Sequence, residues 1–202
     1  MNAEEKIFKA FYDSKKEMLY FNEIKSLTGL SNSSIQNTTL ALLKKNVLGS
    51  QKTKANVFFT MADQERFAIE FTKIDLTRLN GLNRNIRLPL KELVGKTPNE
   101  VASMVLFGSS ARKAETEKSD IDLLVVLHKF NTLKLQQMYE TEIIQQMESL
   151  KRDVQSRSNH NLSLAFTNTQ LLKEGKDHLV SQAKETGFPI FNQQLYHEVI
   201  KK

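Results

Sequence analysis

The chain has 202 residues, of which 40% are apolar and 26% charged, and its formal net charge is +6. This composition predicts a soluble globular protein with one large or two small domains, and no long uncharged apolar run indicates a membrane span. The chain has no cysteine and four scattered histidines, which excludes disulfides and zinc-type sites and leaves oxygen atoms as metal ligands. The positive charge favours an anionic partner. The first residues lack the basic patch and apolar stretch of a secretory signal, so we expect a cytoplasmic protein.

The N-terminal part of the sequence predicts a group of short helices. Apolar residues are spaced along one helix face over residues 5–12 and again over 21–27. Gly29 is suited to end the second helix in the left-handed conformation, and Ser31 or Ser33 is suited to cap a third helix. The predicted arrangement is therefore helix, tight turn, helix.

The next segment predicts a wing and a connector. From Gly49 the chain reads as β-structure through Phe59, so residues 5–60 fit three helices followed by a two-stranded wing. Apolar residues over 67–74 lie at i, i+4 and i+7, which predicts a longer helix that connects to a new unit beginning near residue 82.

The C-terminal part alternates strands and helices. A helix disturbed by Pro89 precedes two apolar, β-branched runs, Val101 to Phe107 and Ile121 to Leu127. A helix over 135–150 and a third strand over 162–166 follow. This alternation predicts an α/β (α+β) protein whose C-terminal part is a mixed sheet with flanking helices.

Two short motifs flank the polar loop between the first two of these strands. Gly108 and Ser109 end one strand and open a helix, so that backbone N–H groups and a hydroxyl can approach a phosphate. Asp120 and Asp122 stand at i and i+2 on the next strand, and an extended chain turns both carboxylates to one face. Such a pair can hold Mg²⁺ or Mn²⁺ against a triphosphate.

The combined pattern resembles the nucleotidyltransferase superfamily related to polymerase beta, in particular its small prokaryotic members, over about residues 82 to 190. The resemblance implies that Asp120 and Asp122 are the catalytic, metal-binding residues. It also implies nucleotide binding by a set around the Gly-Ser turn: Gly108, Ser109, Ser110 and Arg112. Lys113 departs from the pattern, because many relatives have glycine there.

A second departure concerns catalysis. Active relatives carry a third carboxylate on a later strand, whereas the corresponding segment here, residues 160–166, contains no acid and offers Ser163 or Asn161 at that position. Asp153 is the nearest upstream acid, and we expect it in a solvated loop. Two functions therefore stay open: transfer of a nucleoside monophosphate from an NTP to an acceptor, or a regulator whose transferase-like domain is inactive and senses nucleotide or mediates association.

The stretch from Ile24 to Ala62 contains five lysines and no carboxylate, which is the charge pattern that phosphate contact needs. It resembles winged helix-turn-helix domains, in which the second helix of the motif enters the DNA major groove and the wing contacts the backbone. The resemblance implies a DNA-binding set on the predicted third helix, its end and the wing: Ser33, Ser34, Gln36, Asn37, Lys44, Lys45, Lys52 and Lys54. The other interpretation is a protein-docking winged helix with solvated lysines.

The sequence thus predicts three segments. Residues 1–62 are expected to be a winged helix-turn-helix DNA-binding domain, 63–81 a helical connector, and 82–202 a nucleotidyltransferase-like domain. The expected partners are DNA and an NTP. Because winged-helix DNA binders often occupy two half-sites as dimers, we also expect a homodimer.

Overall fold

The described residues of the chain form three hydrophobic cores. The computed structural model describes residues 1–54, 56–130 and 132–200, without the side chain of residue 200. The chain divides into unit 1, Met1–Ile74, and unit 2, Asp75–Lys202. The boundary falls inside the segment predicted as a connector. The mixture of helices and strands confirms the predicted α/β (α+β) class.

Unit 1 combines helices with a small antiparallel sheet. Its elements in chain order are α1 (Ala3–Ser14), β1 (Met18–Tyr20), α2 (Phe21–Thr28), α3 (Asn32–Lys44), β2 (Leu48–Lys52), β3 (Val57–Met61) and the first part of α4 (Gln64–Asn80). The strands lie in the order β1-β3-β2. The predicted two-stranded hairpin is thus joined by a third strand, β1, whose three residues between two helices carry too little alternation to be recognised.

The turn between α2 and α3 has the predicted chemistry. Gly29 adopts φ +64°, and its N–H donates to the carbonyl of Lys25 at 3.0 Å. Ser31 caps α3, with its hydroxyl accepting from the Ser34 N–H at 3.2 Å. Glycine is favoured at the left-handed position because a side chain there would be strained.

Aromatic rings from α1 and α4 form the centre of the unit 1 core. Phe67 is fully buried, and its ring centroid lies 4.8 Å from that of Phe8 and 5.3 Å from that of Phe11, both edge to face. Phe71 packs on Phe67 in the same way. The first half of α4, predicted as part of a connector, therefore belongs to this core.

Unit 2 contains a four-stranded mixed sheet covered by helices. Its elements after α4 are α5 (Arg84–Lys96), β4 (Val101–Phe107), α6 (Gly108–Ala111), β5 (Ile121–Leu127), α7 (Leu133–Gln155), β6 (Leu162–Asn168), α8 (Thr169–Glu174), α9 (His178–Thr186), β7 (Phe188–Phe191) and α10 (Gln193–Ile200). The strand order is β6-β5-β4-β7, with only β5 and β6 parallel among the described strand pairs. None of the described helices combines the length and apolar character needed to cross a membrane.

Strand β5 has two buried faces. Ile121, Leu123 and Val125 join the core that includes residues of α5 and α7. Leu124 and Val126 join a second core with residues of α8, α9 and α10. A strand covered on both sides needs a near-continuous apolar sequence, which is why its bounds could be predicted.

Two local predictions about acids were inaccurate. Asp153 is not in a loop but on the last turns of α7. Asp120 precedes β5 by one residue instead of lying on it. Pro89 lies inside α5 without ending it, and it is buried in the unit.

Replacing Phe67 by alanine is expected to lower the free energy of unfolding of unit 1 by about 3–5 kcal/mol, because a large aromatic side chain leaves the core and a cavity remains. Ile69→Ala on the same helix is the control, since Ile69 is 37% exposed and its loss should change stability by less than about 0.5 kcal/mol. Urea unfolding of both variants makes the comparison. Equal effects would mean that the start of α4 is not part of the unit 1 core.

Candidate functional site

The sequence motifs of unit 2 meet at one edge of its sheet. Strand β4 ends at Phe107, which pairs with Asp122 at the start of the antiparallel strand β5. Asp122 in turn pairs with Ser163 at the start of the parallel strand β6. The register therefore brings Gly108, Asp122 and Ser163 to the same edge.

Gly108 is in close contact with the Asp122 carboxylate. It adopts φ +71°, and a Cβ added to it would overlap the carboxylate and lie 3.3 Å from its Cγ. Both the left-handed backbone and the lack of space require glycine at this position. The absent side chain lets a carboxylate lie directly against the turn between β4 and α6.

The two aspartates interact electrostatically. Asp122 is half-buried, whereas Asp120 is exposed. Burial raises the pKa of the Asp122 carboxyl, and the negative charge of Asp120 raises it further. Desolvated like charges are unfavourable in a folded protein, and they are commonly found where a site binds a cation or performs catalysis.

The backbone before β5 is held by several hydrogen bonds. The Ser110 hydroxyl donates to the Asp120 carbonyl at 3.3 Å, and the Ile121 N–H donates to the Asn161 carbonyl at 2.8 Å. His160 Nδ1 lies 2.9 Å from the Ser119 carbonyl oxygen. Ser110 is fully buried, so its hydroxyl supports the backbone of Asp120.

The turn after Gly108 has further contacts. The Ser109 carbonyl accepts from the N–H groups of Arg112 and Ala114 at 3.1 and 3.0 Å. Ser109 is partly exposed and Arg112 is exposed. Lys113 adopts φ +56°, a conformation that favours glycine and so gives a physical reason for the glycine of related sequences.

No third carboxylate joins the pair in the described parts of the chain. Ser163 stands opposite Asp122, and the Asn161 side chain accepts from Gln155 Nε2 at 3.0 Å. Asp153 is instead paired with Lys96 and Arg157, whose hydrogen bonds lower its pKa to about 2. Within residues 1–54, 56–130 and 132–200, no group of three or more histidine or acidic side chains could hold a metal.

The remaining donor set still fits a hard cation. Asp120 and Asp122 supply carboxylate oxygens, the ligand type that Mg²⁺ prefers. Magnesium is commonly bound by one or two carboxylates together with substrate phosphates and water. A site of this composition is expected to depend on a phosphate ligand for much of its metal affinity.

The other predicted site residues lie on unit 1. Ser33, Gln36 and Asn37 are exposed on α3, and Ser34 is half-buried with its N–H bonded to the cap. Leu40 is 55% exposed on the same helix. This exposure of Leu40 was not predicted, because an apolar residue at helical spacing is normally assigned to the core.

The predicted basic residues are all solvent-exposed. They are Lys44 and Lys45 at the end of α3, and Lys52 and Lys54 at the end of β2 and in the hairpin loop. None of these four has an ion-pair partner among the described residues. Their charges are therefore available to an anionic ligand.

Replacing Asp122 by asparagine is expected to increase the free energy of unfolding at neutral pH. A carboxyl with a raised folded-state pKa binds more protons when folded than when unfolded, so its stabilising contribution is lost as pH rises through the folded pKa. The gain should disappear well below the ordinary aspartate pKa of about 4, where both states are protonated. Urea unfolding at neutral and acidic pH measures it.

Asp153→Asn is the matched control with the opposite sign. Because its pKa is lowered, this variant should lose stability at neutral pH, and the loss should disappear as the pH falls through about 2. A destabilised Asp122→Asn protein at neutral pH would contradict the unfavourable environment inferred for Asp122.

Comparison with known proteins adds the last observation on this site. None of the curated proteins matches the chain. Residues 84–180 match the family model for the nucleotidyltransferase domain. The matched segment lies in unit 2 and includes Gly108, Ser109, Asp120, Asp122 and Ser163. Residues 84–180 of this chain are therefore similar to nucleotidyltransferase domains.

Proposed function

We propose that this chain is a DNA-binding nucleotidyltransferase that binds an NTP with Mg²⁺ or Mn²⁺ and transfers the nucleoside monophosphate to an acceptor. The observation that carries the proposal is the contact of the Asp122 carboxylate with Gly108. This contact joins a turn suited to phosphate with a carboxylate suited to a cation.

Different residues at this edge of the sheet would bind the phosphates and the cation. The turn at Gly108 and Ser109 has no bulky side chain at its start, so phosphate oxygens can approach the backbone there. Asp120 and Asp122 would hold the divalent cation, and the exposed Arg112 would add a donor for phosphate. When bound, the cation supplies charge neutralisation for the triphosphate and the leaving pyrophosphate.

Transfer requires an acceptor oxygen to form a bond to the α-phosphorus while the bond from that phosphorus to pyrophosphate breaks. The acceptor hydroxyl must also release its proton. Ser163 stands where relatives have an acid, and a neutral hydroxyl is a poor base. The lack of a positioned base typically costs a factor of about 10² to 10⁴ in rate. We therefore infer slow transfer.

The same serine favours a second candidate function. Nucleotide binding needs the Gly-Ser turn and the two aspartates but not the third carboxylate. A regulator that senses an NTP without turnover is the alternative, and association through this domain would be a further role. Whether the natural sequence, with Ser163 in place, transfers any nucleoside monophosphate separates the two functions.

The DNA-binding part of the proposal rests on unit 1. Its element order, α1-β1-α2-α3-β2-β3 with the three strands in one sheet, resembles that of winged helices and supports the proposal. The polar, acid-free α3 would enter the major groove, and the lysines near the hairpin would contact phosphates. We propose that it acts in the cytoplasm as a homodimer, by the analogy with winged helices on two half-sites.

Replacing Ser163 by aspartate is expected to increase transfer from a labelled NTP by about 10²-fold or more, because it supplies the missing carboxylate opposite Asp122. The full chain is incubated with labelled NTPs and Mg²⁺ or Mn²⁺, and label is measured on protein, nucleic acid and small acceptors. Ser163→Asn is the control for size and polarity, and it should not increase the rate.

Asp122→Asn in the Ser163→Asp background should remove the gained activity. Slow label transfer by the natural sequence supports the enzyme. Transfer only in Ser163→Asp supports the sensing regulator. If nucleotide does not bind to any of these proteins with either metal, both functions of the domain are wrong.

Replacing Lys52 and Lys54 by alanine is expected to weaken binding to all duplex DNA sequences alike. Each lost phosphate contact should flatten the slope of log affinity against log salt by about 0.9, so the pair should change it by about 2. Titration of the full chain with duplex DNA at several salt concentrations measures the slope. Gln36→Ala and Asn37→Ala should instead relax the preference among sites, since amides can read adenine edges.

Lys129→Ala with Lys134→Ala is the charge-matched control in unit 2, and it should leave the slope nearly unchanged. The absence of DNA binding even at low salt would mean that unit 1 is a protein-docking module. An equal effect of the two lysine pairs would show that net charge, and not the hairpin, governs binding.

A further inference from the structure

A pocket beside the phosphate turn has no role in the function proposed above. It has a volume of about 310 Å³ and is lined by the first turn of α5, the loop before β5 and the residue before Asn161. Its lining includes Asn83, Glu115, Glu117 and His160. Its volume is at the lower end of the range of small-molecule sites.

Hydrogen bonds link the lining of the pocket to both halves of the candidate nucleotide site. Glu115 follows Ala114, whose N–H donates to the Ser109 carbonyl at 3.0 Å. His160 contacts the carbonyl oxygen of Ser119, at 2.9 Å, and Ser119 precedes Asp120. Two residues that line the pocket are therefore connected, through one neighbouring residue each, to the turn and the aspartate proposed to bind the triphosphate and its cation.

Glu115 has an unusual environment in this pocket. Its Oε1 accepts a hydrogen bond from Asn83 Nδ2. Its Oε2 is shielded from solvent and has no hydrogen-bond partner among the described residues. A buried polar atom without a partner is costly, and a charged one more so. The terminal torsion of glutamate is broad, so a modest rotation can turn Oε2 toward the pocket.

We propose that this pocket receives the base of the bound nucleotide and that Glu115 selects adenine or cytosine, the bases that carry an exocyclic amino group where hypoxanthine and uracil carry a carbonyl oxygen. This inference rests on the proposed function, which places the phosphates at Gly108 and Ser109. A carboxylate oxygen can accept a hydrogen bond from an amino group. The carboxylate oxygen would face a carbonyl oxygen when hypoxanthine or uracil takes the same position. Two hydrogen-bond acceptors cannot satisfy each other. Glu115 is thus a specificity-determining residue.

The test uses two pairs of nucleotides that differ at this group, ATP against ITP and CTP against UTP. The affinity of the full chain for each is measured by calorimetry with Mg²⁺. Within at least one pair, the natural sequence should bind the amino form about 10- to 100-fold more tightly, the range expected for a hydrogen bond to a charged group. Glu115→Gln should reduce this preference to less than about threefold, because an amide can present a donor as well as an acceptor.

Glu117→Gln is the matched control. It removes the same charge from the same pocket, but Glu117 is exposed, so the preference should remain. Glu115→Gln keeps an oxygen to accept from Asn83, and thermal unfolding checks that it folds. The preference of the natural sequence tests the proposal even if that variant is unstable.

Binding of inorganic tripolyphosphate with Mg²⁺ distinguishes failure of the base pocket from failure of the proposed phosphate site. If it binds and all four nucleotides bind equally, the phosphate site stands and the base pocket is wrong. The base pocket is also wrong if Glu115→Gln leaves a measured preference unchanged, or if Glu117→Gln abolishes it equally. If neither tripolyphosphate nor any nucleotide binds, the proposed nucleotide function fails and the base pocket fails with it.

Discussion

The antiparallel pairing of β4 with β5 is the constraint on which the candidate site of unit 2 depends. It places Asp122 opposite Phe107, and the glycine that follows Phe107 leaves room for the carboxylate. A side chain at Gly108 would push this carboxylate away from the turn. The buried Ser110 then fixes the carbonyl of Asp120, so that the second carboxylate is held near the first. One register and one missing side chain thus concentrate negative charge at the sheet edge.

The parts of the fold that could be predicted are those governed by local chemistry or by strong burial. Strands β4 and β5 were predicted with their observed bounds because both are nearly continuous apolar runs buried on two faces. The left-handed Gly29 and the cap at Ser31 follow from residue type alone. Strand β1 was missed because its three residues are stabilised by pairing with β3, a contact between segments far apart in sequence. The packing of Phe67 into the unit 1 core could not be predicted for the same reason, since its partners lie on α1.

In the candidate site, too, the features set by local sequence could be predicted and those set by long-range contacts could not. The Gly-Ser turn and the two aspartates are recognisable as a motif, and the position of Ser163 follows once the third strand is aligned with β5. Glu115 could not have been singled out, because nothing local marks an acid in a polar loop. Its environment is created by the hydrogen bond from Asn83, which precedes α5 and is distant in sequence. The hydrogen bond from the Ser110 hydroxyl to the Asp120 carbonyl also depends on long-range packing, and the position of Ser110 beside the motif does not predict it.

The stretch from Ile24 to Ala62 in unit 1 and the candidate site of unit 2 have opposite charge patterns, and this bears on how ligands at the two places could affect each other. The stretch from Ile24 to Ala62 has no carboxylate, whereas the sheet edge of unit 2 carries Asp120 and Asp122. Polyanionic DNA is attracted to the first surface and repelled by the second unless cations neutralise it. The proposed NTP, by contrast, would bind at the acidic edge together with a divalent cation. If occupancy of the edge changes the affinity for DNA, then DNA must change the affinity for the nucleotide by the same factor, because the coupling free energy is shared by both ligands. That equality would apply both to the proposed transferase and to the proposed sensing regulator, because it concerns binding and not the fate of the bound nucleotide.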